Sequence, residues 1–231
     1  MIGEFAGTLV LILLGCGVVA GVLLEKSKAK GAGWIVITAG WAFAVTLGIF
    51  TAKAFGAPGH INPVGPLAAI ATGGDLTTNL QMILAEFLGA FAGATLVWLH
   101  YLPHWAATAD QSAKLGVFCT APAIPDPKSN LLGEIIGTFA LVFISSAIGR
   151  AKIGAVDPSF VGLLVWGIGL SLGGTTGYAI NPARDLGPRI AHAVLPIAGK
   201  GDSDWGYAWI PVVGPCIGGL AATFAFKALL P

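Results

Sequence analysis

Six stretches of this chain, about 2–24, 34–55, 80–101, 130–149, 158–174 and 207–229, are long and apolar enough to cross a lipid bilayer. A spanning helix needs roughly 20 mostly apolar residues, because hydrocarbon offers its backbone no other hydrogen-bond partners. Six of them limit the chain to a bundle of membrane helices. The composition agrees: 55% of residues are hydrophobic and 10% charged, against about 25% charged in soluble domains. A net charge of +1 gives nucleic acid nothing to bind. Cys16, Cys119 and Cys216 are too few and too scattered for a disulfide framework or a zinc site. Cys16 and Cys216 read as small packing residues, and Cys119, in a polar connection, as a free thiol. No nucleophile–base pair or metal cluster stands out, so neither enzyme chemistry nor a cofactor or metal is expected. The first run opens without a basic leader and reads as a retained span.

Two shorter apolar pieces, about 63–72 and 182–195, are too short to span and read as half-helices or interfacial segments. The chain also repeats itself. GEFAGTLVLILLGCG at 3–17 matches GEIIGTFALVFISSA at 133–147, and GHINPVGPLA at 59–68 matches GYAINPARDLG at 177–187. The expected organisation is a single transmembrane domain over 1–231, with repeats of about 1–101 and 130–231 joined by a connection at 102–129. Each repeat holds three spans, an odd number, so the second enters the bilayer upside down. An inverted repeat brings its two broken segments to the midplane from opposite faces. Glycines at close helical spacing, such as Gly89 and Gly93 or Gly214 and Gly218, suit close approach of membrane helices.

Each broken segment begins with Asn-Pro: Asn62-Pro63 and Asn181-Pro182. Asn is a strong N-cap and Pro suits the first helical position. One such pair reads first as a loop turn; two, in matching places of an inverted repeat, read as opposed helix starts. The cap bond would hold each amide NH₂ in one direction as a donor. Two helix N-termini, each carrying roughly half a positive charge, would oppose cations where they meet. The first copy continues Val64-Gly65-Pro66, where the second has Ala183. With Asn62 as the cap, Pro66 stands where the first intrahelical N–H would donate, so one bond is lost at the helix start.

Charged and aromatic residues sit around these segments. Arg184, at bilayer depth, needs a cavity or a partner, and Asp185 is the neighbouring candidate. Trp41 and Tyr178, on the residues alone, read as lipid belt or core. Glu4 and Glu134 occupy matching positions within spans and need buried partners. With Glu86 they are the candidates for the ion site of a secondary transporter. Gly65, Gly173, Gly174 and Gly177 flank the half-helices and suit turns there. His100, His104 and His192 carry no assigned role.

The duplicated Asn-Pro boxes resemble those of the major intrinsic proteins, the aquaporin and glycerol-facilitator family, and the resemblance runs over nearly the whole chain. It implies an all-α membrane fold of six transmembrane helices plus two re-entrant half-helices, assembled as homotetramers with one pore per subunit. Asn62, Pro63, Val64 and Asn181, Pro182, Ala183 then form the pore boxes. The family's box is Asn-Pro-Ala twice, and Val64 departs from it. Trp41, Gly169, Tyr178 and Arg184 match the selectivity filter, and His60 a pore position on the cytoplasmic side. Glu4, Glu134 and Asp185 match structural supports of the re-entrant loops. Tyr178 stands where glycerol facilitators usually have Phe. The aromatic pair opposite Gly169, the absence of a His on the fifth span, Asp185 after Arg184, and Pro211-Val212 on the sixth span resemble the glycerol-conducting branch. The resemblance implies a passive channel in the cell membrane for glycerol, other small neutral solutes and water, with both termini cytoplasmic. Charge counting alone does not set that orientation, since Lys26, Lys28 and Lys30 then lie outside. Alternatives are a mainly water-selective channel, a channel for lactic acid, dihydroxyacetone or hydrogen peroxide, a secondary transporter, and a scaffold with a closed pore.

Overall fold

The computed structural model describes residues 1–152 and 154–229. Among these, six helices are long and apolar enough to cross a membrane: α1 (Ile2–Leu23), α2 (Trp34–Ala54), α4 (Leu76–His100), α7 (Pro127–Arg150), α8 (Asp157–Ser171) with the short 3₁₀ turn before it, and α10 (Ile210–Leu229). Two shorter helices, α3 (Val64–Ala71) and α9 (Pro182–Val194), follow the Asn-Pro steps. The protein is a multi-pass membrane protein. The lipid-facing side of α4 is explicit: Leu80, Leu84 and Leu88, spaced one turn apart, are all exposed, an arrangement water would penalise and hydrocarbon does not.

Three helix starts explain themselves. Asp75 caps α4 by accepting from the Thr78 N–H, and Asp126 caps α7 through the N–H groups of Lys128 and Ser129, with Pro127 in the first helical position. Asn181 caps α9 through the N–H groups of Ala183 and Arg184. The Asp75 cap starts α4 at Leu76, earlier than the apolar pattern at 80, because the polar first turn is held by its cap and not by hydrophobicity. The connection at 102–129 holds two short helices, α5 (Leu102–Ala107) and α6 (Gln111–Phe118). Cys119, expected in a polar connection, is buried, as is Cys16; Cys216 is half-buried, and all three thiols are free.

Small residues set the helix spacing, and they do so twice. A Cβ on Gly89 of α4 would strike the carbonyl oxygen of Phe5 on α1, and a Cβ on Gly218 of α10 would strike that of Ile135 on α7. Backbone meets backbone at both crossings, where dispersion and close packing must replace a hydrophobic driving force. Since Phe5 and Ile135 are equivalent in the repeated GE segments, α1/α4 and α7/α10 are the same pairing built twice.

Candidate functional site

Just before each Asn-Pro step the backbone takes a conformation that β-branched residues avoid. Ile61 has φ of +45° and Ile180 of +43°, the left-handed region, at a cost of order 1–3 kcal/mol each. A carboxylate holds each turn. Glu4 accepts from the N–H groups of Gly59, His60 and Ile61 at 2.7, 3.1 and 2.8 Å. Glu134 accepts from the Thr176 hydroxyl at 2.6 Å and from the N–H groups of Ala179 and Ile180 at 3.0 and 2.8 Å. Both carboxylates are fully buried, and their oxygens are filled by loop donors. That use differs from the exchangeable ion site a coupled transporter needs. Glu86, the third carboxylate of the transporter alternative, accepts from the Asn62 N–H at 3.2 Å.

The two strained turns cross-link the half-helices. Asn62 Nδ2 donates to the Ile180 carbonyl at 2.9 Å, and Asn181 Nδ2 donates to the Ile61 carbonyl at 2.8 Å. Each Oδ1 faces its own helix: that of Asn62 accepts from the Val64 N–H at 3.1 Å, that of Asn181 from Ala183 and Arg184 at 3.0 and 3.1 Å. One N–H of each amide is thus committed, and each amide carries a second. The first copy differs from the expected cap geometry by one residue. Helix α3 begins at Val64 with Pro63 as its cap residue. The reason is Pro66: it has no N–H to give the Asn62 carbonyl, which accepts instead from Gly65 at 3.0 Å, one residue tighter than an α-turn.

A cavity of about 520 Å³ passes this junction. Asn62, Asn181, His60 and Val64 line it, Lys53 and Asp157 stand toward one end, and Trp41, Tyr178 and Arg184 toward the other. The His60 ring lies against Gly65, where a Cβ would meet it at 2.8 Å. At the opposite end the guanidinium carbon of Arg184 sits 4.0 Å from the Trp41 ring centroid, a cation–π contact. Arg184 Nη1 also donates to the Phe118 carbonyl at 3.4 Å. A Cβ on Gly169 would lie 2.9 Å from Tyr178 Cζ and 3.0 Å from its hydroxyl, so the absent side chain makes the room that Tyr178 occupies. The Tyr178 hydroxyl is buried without a hydrogen-bond partner among the described residues. Arg184, Trp41 and Tyr178 therefore line the cavity together, with Gly169 against the Tyr178 ring, and a second hollow is lined by Trp34, Gly173 and Gly177.

Asp185 partners a different arginine. It accepts from Arg189 Nε at 2.9 Å and from the N–H and hydroxyl of Thr120, both at 2.7 Å. Arg189, fully buried, also donates to the carbonyls of Thr120, Ser203 and Asp204. Arg184 is left to face the cavity while the Asp185–Arg189 pair ties α9 to two connections. Four contributors escape a reading of sequence alone. Trp34 packs edge-on against Tyr178 with ring centroids 5.9 Å apart and donates its indole N–H to the Gly169 carbonyl at 3.0 Å. Gly15 leaves the space on α1 that the Trp41 ring fills. Phe118 and Thr120 brace the arginines from the connection. Spacing gives no signal for any of these, because their partners lie far off in the chain.

Paired amides and an arginine–aromatic cluster line one cavity in a bundle whose α1/α4 and α7/α10 pairings are built alike. The sequence profile of the major intrinsic protein family matches residues 1–226. The chain belongs to the major intrinsic protein family. Glycerol uptake facilitator protein 3 of Lactiplantibacillus plantarum is 53% identical over 99% of this chain and 96% of that protein. The glycerol uptake facilitator protein of Streptococcus pneumoniae strain R6 is 53% identical over 98% and 97%. Among solved structures, the aquaglyceroporin from Plasmodium falciparum superposes with a TM-score of 0.86 at 29% identity, covering 100% of this chain and 96% of that one.

Proposed function

We propose that this protein is a passive channel for glycerol and other small uncharged solutes, with water also passing. The observation that carries this reading is the reciprocal bonding of Asn62 and Asn181 beside the cavity that both line. Each amide keeps a second N–H to offer a hydroxyl. Permeation exchanges hydration for aligned donors and carbonyls, at low enough affinity for the solute to leave.

The end bounded by Trp41, Tyr178, Gly169 and Arg184 acts as the selectivity filter. Carbon–hydrogen faces of a polyol lie against the rings while its hydroxyls meet Arg184, the Tyr178 hydroxyl and backbone carbonyls. Arg184 and the two half-helix N-termini keep the passage positive and oppose cations. His60 contacts solute at the other end. Glu4, Glu134 and Asp185 hold the loops. The whole chain acts as one channel domain in the plasma membrane, both termini cytoplasmic. It assembles as a homotetramer with one conduit per subunit. Close relationship to proteins named glycerol uptake facilitators supports the choice of solute.

Stopped-flow light scattering on proteoliposomes tests the reading. Under an inward glycerol gradient, vesicles holding the protein re-swell faster than protein-free vesicles. Equal re-swelling rates would refute it.

A further inference from the structure

The first box carries Val64 where the second carries Ala183, yet Val64 is fully packed, only 1% exposed. The space it occupies comes from α10. A Cβ on Gly219 would overlap Val64 Cγ1 outright, with Val64 Cβ at 3.4 Å and Val142 Cγ2 at 3.6 Å. The isopropyl group is therefore seated in a notch that exists because residue 219 has no side chain.

The repeat shows what the notch replaces. Gly89 meets the Phe5 carbonyl as Gly218 meets that of Ile135, so the position after each, Ala90 and Gly219, is equivalent. Ala90, like Ala183, is fully buried. It stands against α9, since a Cβ on Gly187 would meet the Ala90 Cβ at 2.7 Å. Where α9 of the second repeat packs on α4 of the first, both positions hold alanine; where α3 of the first packs on α10 of the second, they hold valine and glycine, with the bulk on the half-helix side.

We infer that Val64 and Gly219 are a matched pair that seats α3 against α10, making Gly219 a positioning residue for Asn62. The inference rests on the channel reading above. Asn62 lies two residues before Val64, and its Oδ1 holds the Val64 N–H. A displacement of Val64 therefore moves the Asn62 amide relative to the Ile180 carbonyl it bonds. Close-packed interiors do not absorb an added methyl without such a shift.

The test is a cycle of four proteins, parent, Gly219→Ala, Val64→Ala and the double variant, each reconstituted at equal density. Glycerol and water permeabilities and thermal midpoints are read for all four. Gly219→Ala is expected to lower glycerol permeability roughly tenfold, the scale on which small misplacement degrades a positioned site. The double variant, which recreates the alanine–alanine combination of α9 and α4, restores it to within about twofold, the non-additivity that marks coupled neighbours. A Gly219→Ala protein that does not accumulate, alongside a double variant that accumulates and conducts, supports the pairing equally. A double variant no better than Gly219→Ala, or a Gly219→Ala protein conducting like the parent, overturns it. A parent that conducts neither solute refutes the channel reading instead. The thermal midpoints of the cycle then decide the pairing, rescue supporting it and additive loss overturning it.

Discussion

Asn62 and Asn181 are each bonded to the carbonyl that immediately precedes the other, at 2.9 Å to Ile180 and 2.8 Å to Ile61. Neither amide can turn without breaking a bond that belongs to the opposite half of the molecule. The same two isoleucines give their N–H groups to Glu134 and Glu4. A closed circuit of carboxylate, strained turn and amide thereby fixes the junction from both sides.

The carboxylates are the anchors of that circuit. Glu134→Ala strands the buried N–H groups of Ala179 and Ile180, at about 1–3 kcal/mol for each unsatisfied group. The expected outcome is a markedly lower thermal midpoint in detergent and loss of glycerol flux. Glu134→Gln, which keeps one acceptor oxygen, falls between the parent and Ala. The ranking of three midpoints checks it.

At the arginine end, the missing side chain of Gly169 leaves the room that Tyr178 occupies. Gly169→Val puts carbon within contact of Tyr178 and Thr38, whose Cγ2 is already 2.9 Å from a bare Cβ. Glycerol permeability is expected to fall by about tenfold or more and water permeability by less, because only the larger solute needs the full slot. Equal losses would place the narrowing elsewhere.

Tyr178→His exchanges a broad ring for a smaller polar one at the same end, and glycerol flux is expected to fall more than water flux. Tyr178→Phe removes only the hydroxyl, which has no partner among the described residues. Stability should stay within about 0.5 kcal/mol of the parent, while the ratio of glycerol to water permeability shifts. Paired flux and melting measurements separate these two effects.

Asp185→Asn breaks a fully buried ion pair and leaves the Arg189 charge with carbonyl partners only. Removing one member of a buried pair typically costs about 3–5 kcal/mol. The midpoint of thermal denaturation should drop steeply. Arg189→Met together with Asp185→Leu, which removes both charges, should drop it less.

Much of this architecture is written locally. The six spans follow from hydrophobic run length, and the half-helix at Pro182 from its Asn cap, because both signals lie within a few neighbouring residues. Local rules fall short where a bond is made or lost at a distance. The start of α3 shifts to Val64 because Pro66 withholds a donor. The α4 start moves to Leu76 because Asp75 supplies an acceptor to a polar first turn. Helices α5 and α6 lie in a stretch with no long apolar run to announce them. The partners of Arg189 and Trp34 cannot be read from spacing, since Thr120 and Gly169 lie 69 and 135 residues away in the chain. A one-letter departure, Val64, is explained only by a glycine on the last helix.

The most direct test of the central claim replaces both amides by an apolar group of similar shape. Asn62→Leu/Asn181→Leu removes the cross-links and the spare N–H donors while keeping side-chain size. Glycerol permeability of the assembled protein, measured by stopped-flow re-swelling, is expected to fall by at least about tenfold. A double variant that conducts glycerol as fast as the parent would contradict the account.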